Sequence, residues 1–390
     1  METHSEGRAD KPSQIDRLAF LEKARRLVVK VGSAVIAGER GLEREVVENL
    51  AAELSRFRRQ GYEVILVSSG AIACGRQKLG LPKREYHLSE KQALAATGQA
   101  GLIQSYEAAF SQYEQRVAQI LLTKEDLEDR RRYLLARNTL LTLLRWRVIP
   151  IINENDTVAV EEIQFGDNDL LSALVVGLIQ ADVLICLSDV DALYARDPRE
   201  DPGAPPVRFV SQIDREIEAM AGTKPGRFGR GGMVSKIRAA KIVTSLGVPM
   251  IIAPGRMPMV LERLFAGEEI GTFFAPGKKG LSSRKFWLAY HPRPEGKIIL
   301  DQGAVSALKK GSSLLPSGIK AVEGVFERGA CIECVAEDGR RVALGLVNYT
   351  SQDLLKILGC HTREIPRRLG FDGQEEVIHR DNLVLVDETA

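Results

Sequence analysis

One rhythm constrains this chain more than any other feature. From residue 27 to about 277, short runs of apolar, largely β-branched residues alternate with amphipathic segments of helix length. The runs are Leu27–Val31, Val64–Val67, Val117–Leu122, Val148–Ile152, Val183–Leu187 and Val248–Ile252. Between most of them lie helical patterns such as 43–60, 89–113, 130–146 and 233–246. Continuous apolar runs joined by helices predict a mainly parallel sheet sandwiched by helices, an α/β fold. Such sheets bind ligands at the carboxyl ends of their strands, so the loops that follow those strands are where chemistry is expected.

Past residue 277 the texture changes. Pro292 and Pro294 cannot sit inside a regular helix, and 278–295 reads as a linker. From Gly296 onward, runs of near period-2 alternation (297–300, 319–325, 331–335, 342–347) and one helical segment (351–358) predict a small β-rich domain. The expected organisation is a tail over 1–22, an α/β domain over 23–277, a linker over 278–295 and a β-rich domain over 296–390.

Composition narrows the function classes. The 390 residues carry 54 Lys plus Arg against 52 Asp plus Glu, with 44% hydrophobic and 27% charged residues. That balance excludes a disordered chain, a collagen and a simple polybasic nucleic-acid tail. Five scattered cysteines make no disulfide framework and fit reduced thiols in the cytoplasm. Cys331 and Cys334 lack the second ligand pair of a zinc site and read as strand packing. The first sixteen residues lack a signal peptide's apolar core, and no stretch approaches the roughly 18 apolar residues that a membrane span needs.

The chain has no GxxxxGK[ST], no GxGxxG, and none of its five histidines falls in a strand-end motif. Walker-type, Rossmann-type and hydrolase-triad chemistries lose their usual signals. Five strand-end loops remain. The first run holds Lys30 and ends in Gly32-Ser33-Ala34; a buried lysine there requires an anion such as phosphate, whereas an edge-strand lysine would simply face solvent. Ser68-Ser69-Gly70 opens a helix, giving either an anion-binding N-terminus or plain serine capping. Asn153-Glu154-Asn155-Asp156 and Gly166-Asp167-Asn168-Asp169 concentrate acids and amides beyond what turns require, and suit a ligand carrying both ammonium and carboxylate, or else form an Asx-turn and an N-cap before 170–178. Ser188-Asp189 closes a strongly apolar run, where the acid could orient magnesium-bound phosphates, engage a nearby lysine, or cap a helix. Finally, Gly229-Arg230-Gly231-Gly232-Met233-Val234-Ser235-Lys236 bares backbone N–H groups at a helix start and adds a mobile cation, or serves as a hinge.

Two lysines, Gly-rich helix starts and several acids at strand ends describe phosphoryl transfer between anions. A carboxylate acceptor, with a reference pKa of about 4.3 for a Glu side chain, is already ionised and needs no base, so repulsion is the barrier. Two anions at about 4 Å repel by roughly 4 kcal/mol at an effective dielectric of about 20, which lysines and magnesium must cancel.

The segments VKVGSA, SSGAIA, INENDTVA, FGDNDLLSA, LSDVDALY and RGGMVSK, followed by DQGAVSALKKGSSLLPSGI, resemble in order and spacing the amino-acid kinase family. The resemblance is to its branch that phosphorylates glutamate and carries a C-terminal PUA domain, and it covers nearly the whole chain from Leu27 to about residue 380. It implies the reaction of ATP with L-glutamate to give L-glutamyl 5-phosphate, the first step of proline synthesis, with magnesium required. Carried over by position, it implies that Lys30 binds ATP phosphate and that Ser69, Asp156 and Asn168 bind glutamate. Ser188, Asp189 and the run Arg230, Gly231, Gly232, Met233, Val234, Ser235 and Lys236 would line the ATP site, with Lys236 opposite Lys30. The catalytic set so implied is Lys30, Lys236 and Asp189. Feedback binding of L-proline, with 157–164 as the controlling loop, and assembly into dimers or tetramers are further implications. The family often has two hydroxyl residues where this chain has Ser33-Ala34, and a small residue where it has Arg230. Two other readings compete: a different amino-acid kinase such as an acetylglutamate kinase or aspartokinase, and RNA binding by the PUA domain, for which Lys309, Lys310, Arg340 and Arg341 offer some basic surface.

Overall fold

The computed structural model describes residues 17–39, 41–159, 168–198, 200–222, 232–277, 280–290 and 293–386. Eight strands build the main sheet: β1 (Arg26–Val31), β2 (Glu63–Ser68), β3 (Val117–Leu122), β4 (Ile149–Glu154), β5 (Val183–Ser188), β6 (Phe209–Val210), β7 (Met250–Pro254) and β8 (Thr272–Phe274). Their order is β6-β8-β7-β5-β1-β2-β4-β3. Every pairing is parallel except β7 with β8. The apolar runs read from sequence are the six long strands, within two residues at most ends.

Alternation along β1 sorts the core into two layers. Leu27, Val29 and Val31 pack with α1 (Arg44–Arg59) and α3 (Leu88–Ser111). Val28 faces the other side, with α4 (Arg130–Arg145), α5 (Asn168–Ile179) and α6 (Met233–Ser245). Period-2 geometry therefore puts Lys30 on the same side as Val28, among α5 and α6. Because β1 is flanked by β2 and β5, the edge-strand reading of Lys30 does not hold. The amphipathic α1 buries Val47, Leu50, Ala51, Leu54 and Phe57 at helical spacing. By contrast, α5 is buried along nearly its whole length, as its almost uniformly apolar sequence demands.

Residues 278–295, read as a linker, contain a helix, α7 (Ser283–Tyr290), that ends before the prolines. Phe286, Trp287 and Leu288 are buried, and Trp287 Nε1–H donates to the Leu127 carbonyl at 3.1 Å. Beyond it, β9 (Gly296–Leu300), β10 (Ile319–Glu323), β11 (Cys331–Ala336), β12 (Arg341–Leu346) and β13 (Leu383–Leu385) form a second sheet in the order β10-β9-β11-β12-β13. It encloses its own core, with α8 (Gln302–Lys309) and α9 (Ser351–Ile357) packed on it. Both Cys331 and Cys334 are buried, and among the described residues no group of three His, Cys, Asp or Glu side chains could hold a metal.

The helix α2 (Ala71–Lys78) lies so close to α3 that glycine is required at the crossing. A Cβ on Gly98 would fall 2.0 Å from the Ala71 carbonyl oxygen and 2.3 Å from the Gly75 amide. Gly98→Ala should therefore cost about 3 kcal/mol in urea unfolding, because backbone rather than a flexible side chain must move. An unchanged midpoint would mean that the helices separate freely.

Candidate active site

The direction of chain progression across the sheet switches at β1, whose neighbours β2 and β5 come from opposite sides of the connectivity. Crevices open at such points, beyond the carboxyl ends of the strands. Here the ends of β1, β2, β4 and β5 line one crevice of about 1700 Å³, together with the starts of α2, α5 and α6. Backbone ties close its floor: Gly32 N–H donates to the Leu187 carbonyl at 3.3 Å, and Ser69 N–H to the Val31 carbonyl at 3.3 Å.

Lys30 and Lys236 converge on one carboxylate. Lys236 Nζ donates to Asp169 Oδ2 at 3.0 Å, and Lys30 pairs with Oδ1 of the same residue. Ser235 Oγ adds a bond to Oδ2 at 2.9 Å. Lys30 is 3% exposed, Lys236 6% and Asp169 0%. Lys30 arrives there from the central strand, Lys236 from the first turn of α6, and Asp169 from the first turn of α5. Buried alone, each ammonium would cost several kcal/mol; the shared carboxylate offsets that cost and holds both in one place. The cluster still carries one net positive charge, which an entering anion can neutralise. Sequence reasoning did not single out Asp169. Its signal was an acid in the first turn of an otherwise apolar helix.

At the other end of the crevice, Asn168 Nδ2 donates to the Ser68 carbonyl (3.0 Å), Ser69 Oγ (2.8 Å) and Asn153 Oδ1 (3.0 Å). Asn153 is in turn held by Gln99 of α3, its Nδ2 donating to Gln99 Oε1 at 3.1 Å. The network pins the Asn168 amide, and its Oδ1 is left as a buried acceptor with no donor among the described residues. Ser69 caps nothing: the N-cap of α2 is Gly70, at φ 109°, which makes no side-chain cap bond. A left-handed residue here turns β2 sharply into α2, and glycine adopts it without strain. Asp156 lines the same crevice, half-buried, and burial pushes its carboxyl up to about 6.

Ser188 and Asp189 line the opposite wall, Asp189 exposed, with Ser188 Oγ donating to Asp189 Oδ1 at 3.3 Å. No described helix starts there for Asp189 to cap. Gly232 and Met233 also line the crevice; Val234 is exposed outside its lining. Arg230 and Gly231 lie outside the described residues, as do Asp167 and the part of the 157–164 loop beyond Ala159.

The family model described as "Amino acid kinase family" matches residues 25–254, and that of the PUA domain matches 296–369. The chain therefore belongs to the amino acid kinase family, with a PUA domain at its C-terminal end. Over 372 residues it is 55% identical to the glutamate 5-kinase of Desulfotalea psychrophila, covering 95% of this chain and 99% of that one. It is 48% identical over 372 residues to the glutamate 5-kinase of Geobacter sulfurreducens, covering 95% and 100%. Among solved structures, a UMP kinase from Bacillus anthracis aligns with TM-score 0.46 at 15% identity, over 65% of this chain and 96% of that one.

The environment of Asp156 gives a stability test. A carboxyl whose folded pKa is raised from 3.8 to about 6 costs stability above about pH 6, where it ionises, and nothing below its unfolded pKa. Asp156→Asn should thus stabilise the ligand-free protein at pH 7.5 by up to about 3 kcal/mol and leave it nearly unchanged near pH 4. Equal effects at both pH values would contradict the burial argument.

Proposed function

We propose that the chain transfers the γ-phosphoryl group of ATP to the side-chain carboxylate of L-glutamate, giving L-glutamyl 5-phosphate and ADP at the entry to proline biosynthesis. The convergence of Lys30 and Lys236 on Asp169 carries this reading. The two anionic reactants repel by roughly 4 kcal/mol at about 4 Å. Two fixed ammonium groups offset that repulsion, most strongly where the transferring phosphoryl group spreads its charge. Asp169 sets the spacing of the lysines and need not touch a substrate. The 48–55% identity to glutamate 5-kinases over nearly the whole chain supports the choice of glutamate over other amino acids.

In this reading Lys30 and Lys236 grip the transferring phosphate. Asp156 accepts from the ammonium of glutamate, and Asn168 offers it the free Oδ1, while Ser69 helps to position the acceptor. Ser188, Asp189 and the run from Arg230 to Lys236 line the nucleotide. Magnesium keeps several waters and is held by one or two carboxylates plus substrate phosphates. Asp189 would orient it, and the ion would supply charge neutralisation at the phosphates. We further place L-proline feedback at the acceptor end, expect dimers or tetramers, and assign the protein to the cytoplasm. No described helix is long and apolar enough to cross a membrane.

Glutamate-dependent ADP release, with hydroxylamine trapping the acyl phosphate as a hydroxamate, tests the reaction; ADP release without hydroxamate would overturn it. Lys236→Ala should lower kcat by about 100-fold or more with the fold intact, the scale of losing one pre-organised charge. Turnover within about threefold of the parent chain would remove Lys236 from the mechanism. Asp156→Ala should raise the KM for glutamate at least tenfold more than that for ATP, and equal changes would refute its role on the acceptor side.

A further inference from the structure

Glutamate has a second carboxylate, and the residues assigned to it above provide a hydroxyl, an acid and an amide but no cation for that group. Of the cations lining the crevice, Lys30 and Lys236 are held by Asp169, Arg84 by Glu90 at 2.7 Å and Arg196 by Asp201 at 3.1 Å. Lys83 is exposed, and Lys91 is half-buried on α3. Arg76 differs from all of them. It projects from α2, the helix that begins at Ser69-Gly70, lines the crevice, and is 7% exposed. Its bonds run from Nη2 to the carbonyls of Glu39 (3.0 Å) and Gly38 (3.4 Å), and it makes no ion pair with any described carboxylate.

A guanidinium has five donors in a rigid fork, and two carbonyls held through one nitrogen leave most of that capacity unused. Burying it without a counter-anion is costly, and the cost is recovered when a carboxylate arrives. Side chains on a helix lean toward its N-terminus, so Arg76 leans toward the Ser69 end of α2. The carbonyl bonds hold Nη2 against the backbone of Gly38 and Glu39 before any ligand enters.

We infer that Arg76 binds the α-carboxylate of the acceptor and so selects α-amino acids over ω-amino acids of the same length. This rests on the reading of the acceptor as glutamate. It assigns each charge of glutamate its own partner: the reacting carboxylate to the lysines, the ammonium to Asp156, and the α-carboxylate to Arg76.

The test is a chemical double-mutant cycle on the full-length protein, comparing L-glutamate with 4-aminobutyrate, which is glutamate without its α-carboxylate. The parent chain and Arg76→Gln are assayed for kcat/KM on both, or for competitive inhibition constants where 4-aminobutyrate turns over too slowly to measure. Arg76→Gln should lose at least about 30-fold on glutamate, the scale of truncating one partner of a desolvated charge pair. Its loss on 4-aminobutyrate should stay within threefold. Equal losses on both ligands would reduce Arg76 to a strut for the 37–42 turn and overturn the inference. Should Arg76→Gln fail to fold, Arg76→Lys answers the same question, since it keeps the charge but not the fork, and a selective loss on glutamate is again required. If the parent chain itself shows no glutamate-dependent activity, the reading of the acceptor falls and the role of Arg76 falls with it, an outcome told apart from equal losses on both ligands because it appears before any substitution is made.

Discussion

A single buried carboxylate organises this molecule. Asp169 is fully enclosed and holds the ammonium groups of Lys30 from β1 and Lys236 from the first turn of α6. Burying either ammonium alone would be costly, and removing Asp169 would leave both uncompensated, a loss that typically costs about 3–5 kcal/mol. In the proposed reaction this arrangement holds positive charge where two anions must meet. Structure and chemistry depend here on the same three side chains.

The parallel sheet explains why those side chains can meet at all. Lys30 points toward α5 and α6 because alternation along β1 sends it there, and both helices begin at the carboxyl edge of the sheet, where their first turns carry Asp169 and Lys236. Nothing in this delivery requires a mobile loop. The acceptor end is built the same way, with Gln99, Asn153 and Asn168 forming a relay that ties α3, β4 and α5 together. Each link is a hydrogen bond between elements whose packing already fixes their spacing.

The same two helices, α5 and α6, bear on the C-terminal domain. The Phe286 ring of α7 sits where a Cβ on Gly177 of α5 would lie 2.0 Å from it, and the Tyr290 hydroxyl bonds Ser245 of α6 at 3.0 Å. Cys331, Leu344 and Val384 of the second sheet join the apolar layer that also contains α5 and α6. The α7 helix is thus the packed joint between the sheets, although its two flanking prolines and its basic start make the segment look like a tether in sequence.

Much was legible from the order of residues alone: the six long strands, their intervening helices, the second β-rich domain, and the loops that would face a ligand. These follow from local periodicity, which depends on neighbours in sequence and survives without tertiary information. The same reading marked Lys30, Ser69, Asn168 and Lys236, which the fold brings to one crevice, because a charged or hydroxyl residue at the end of an apolar strand or beside glycines breaks a local pattern. It named Asp169 only as part of an acid-and-amide segment, with no role of its own, and did not find Arg76. An acid in a helix's first turn and an arginine in an exposed-looking stretch, GRQK, are both locally ordinary. Only the packing of distant elements made one of them the shared counter-ion of two lysines and left the other buried among carbonyls without an anion. Burial and partnership are properties of the folded whole, and they decided which charges matter.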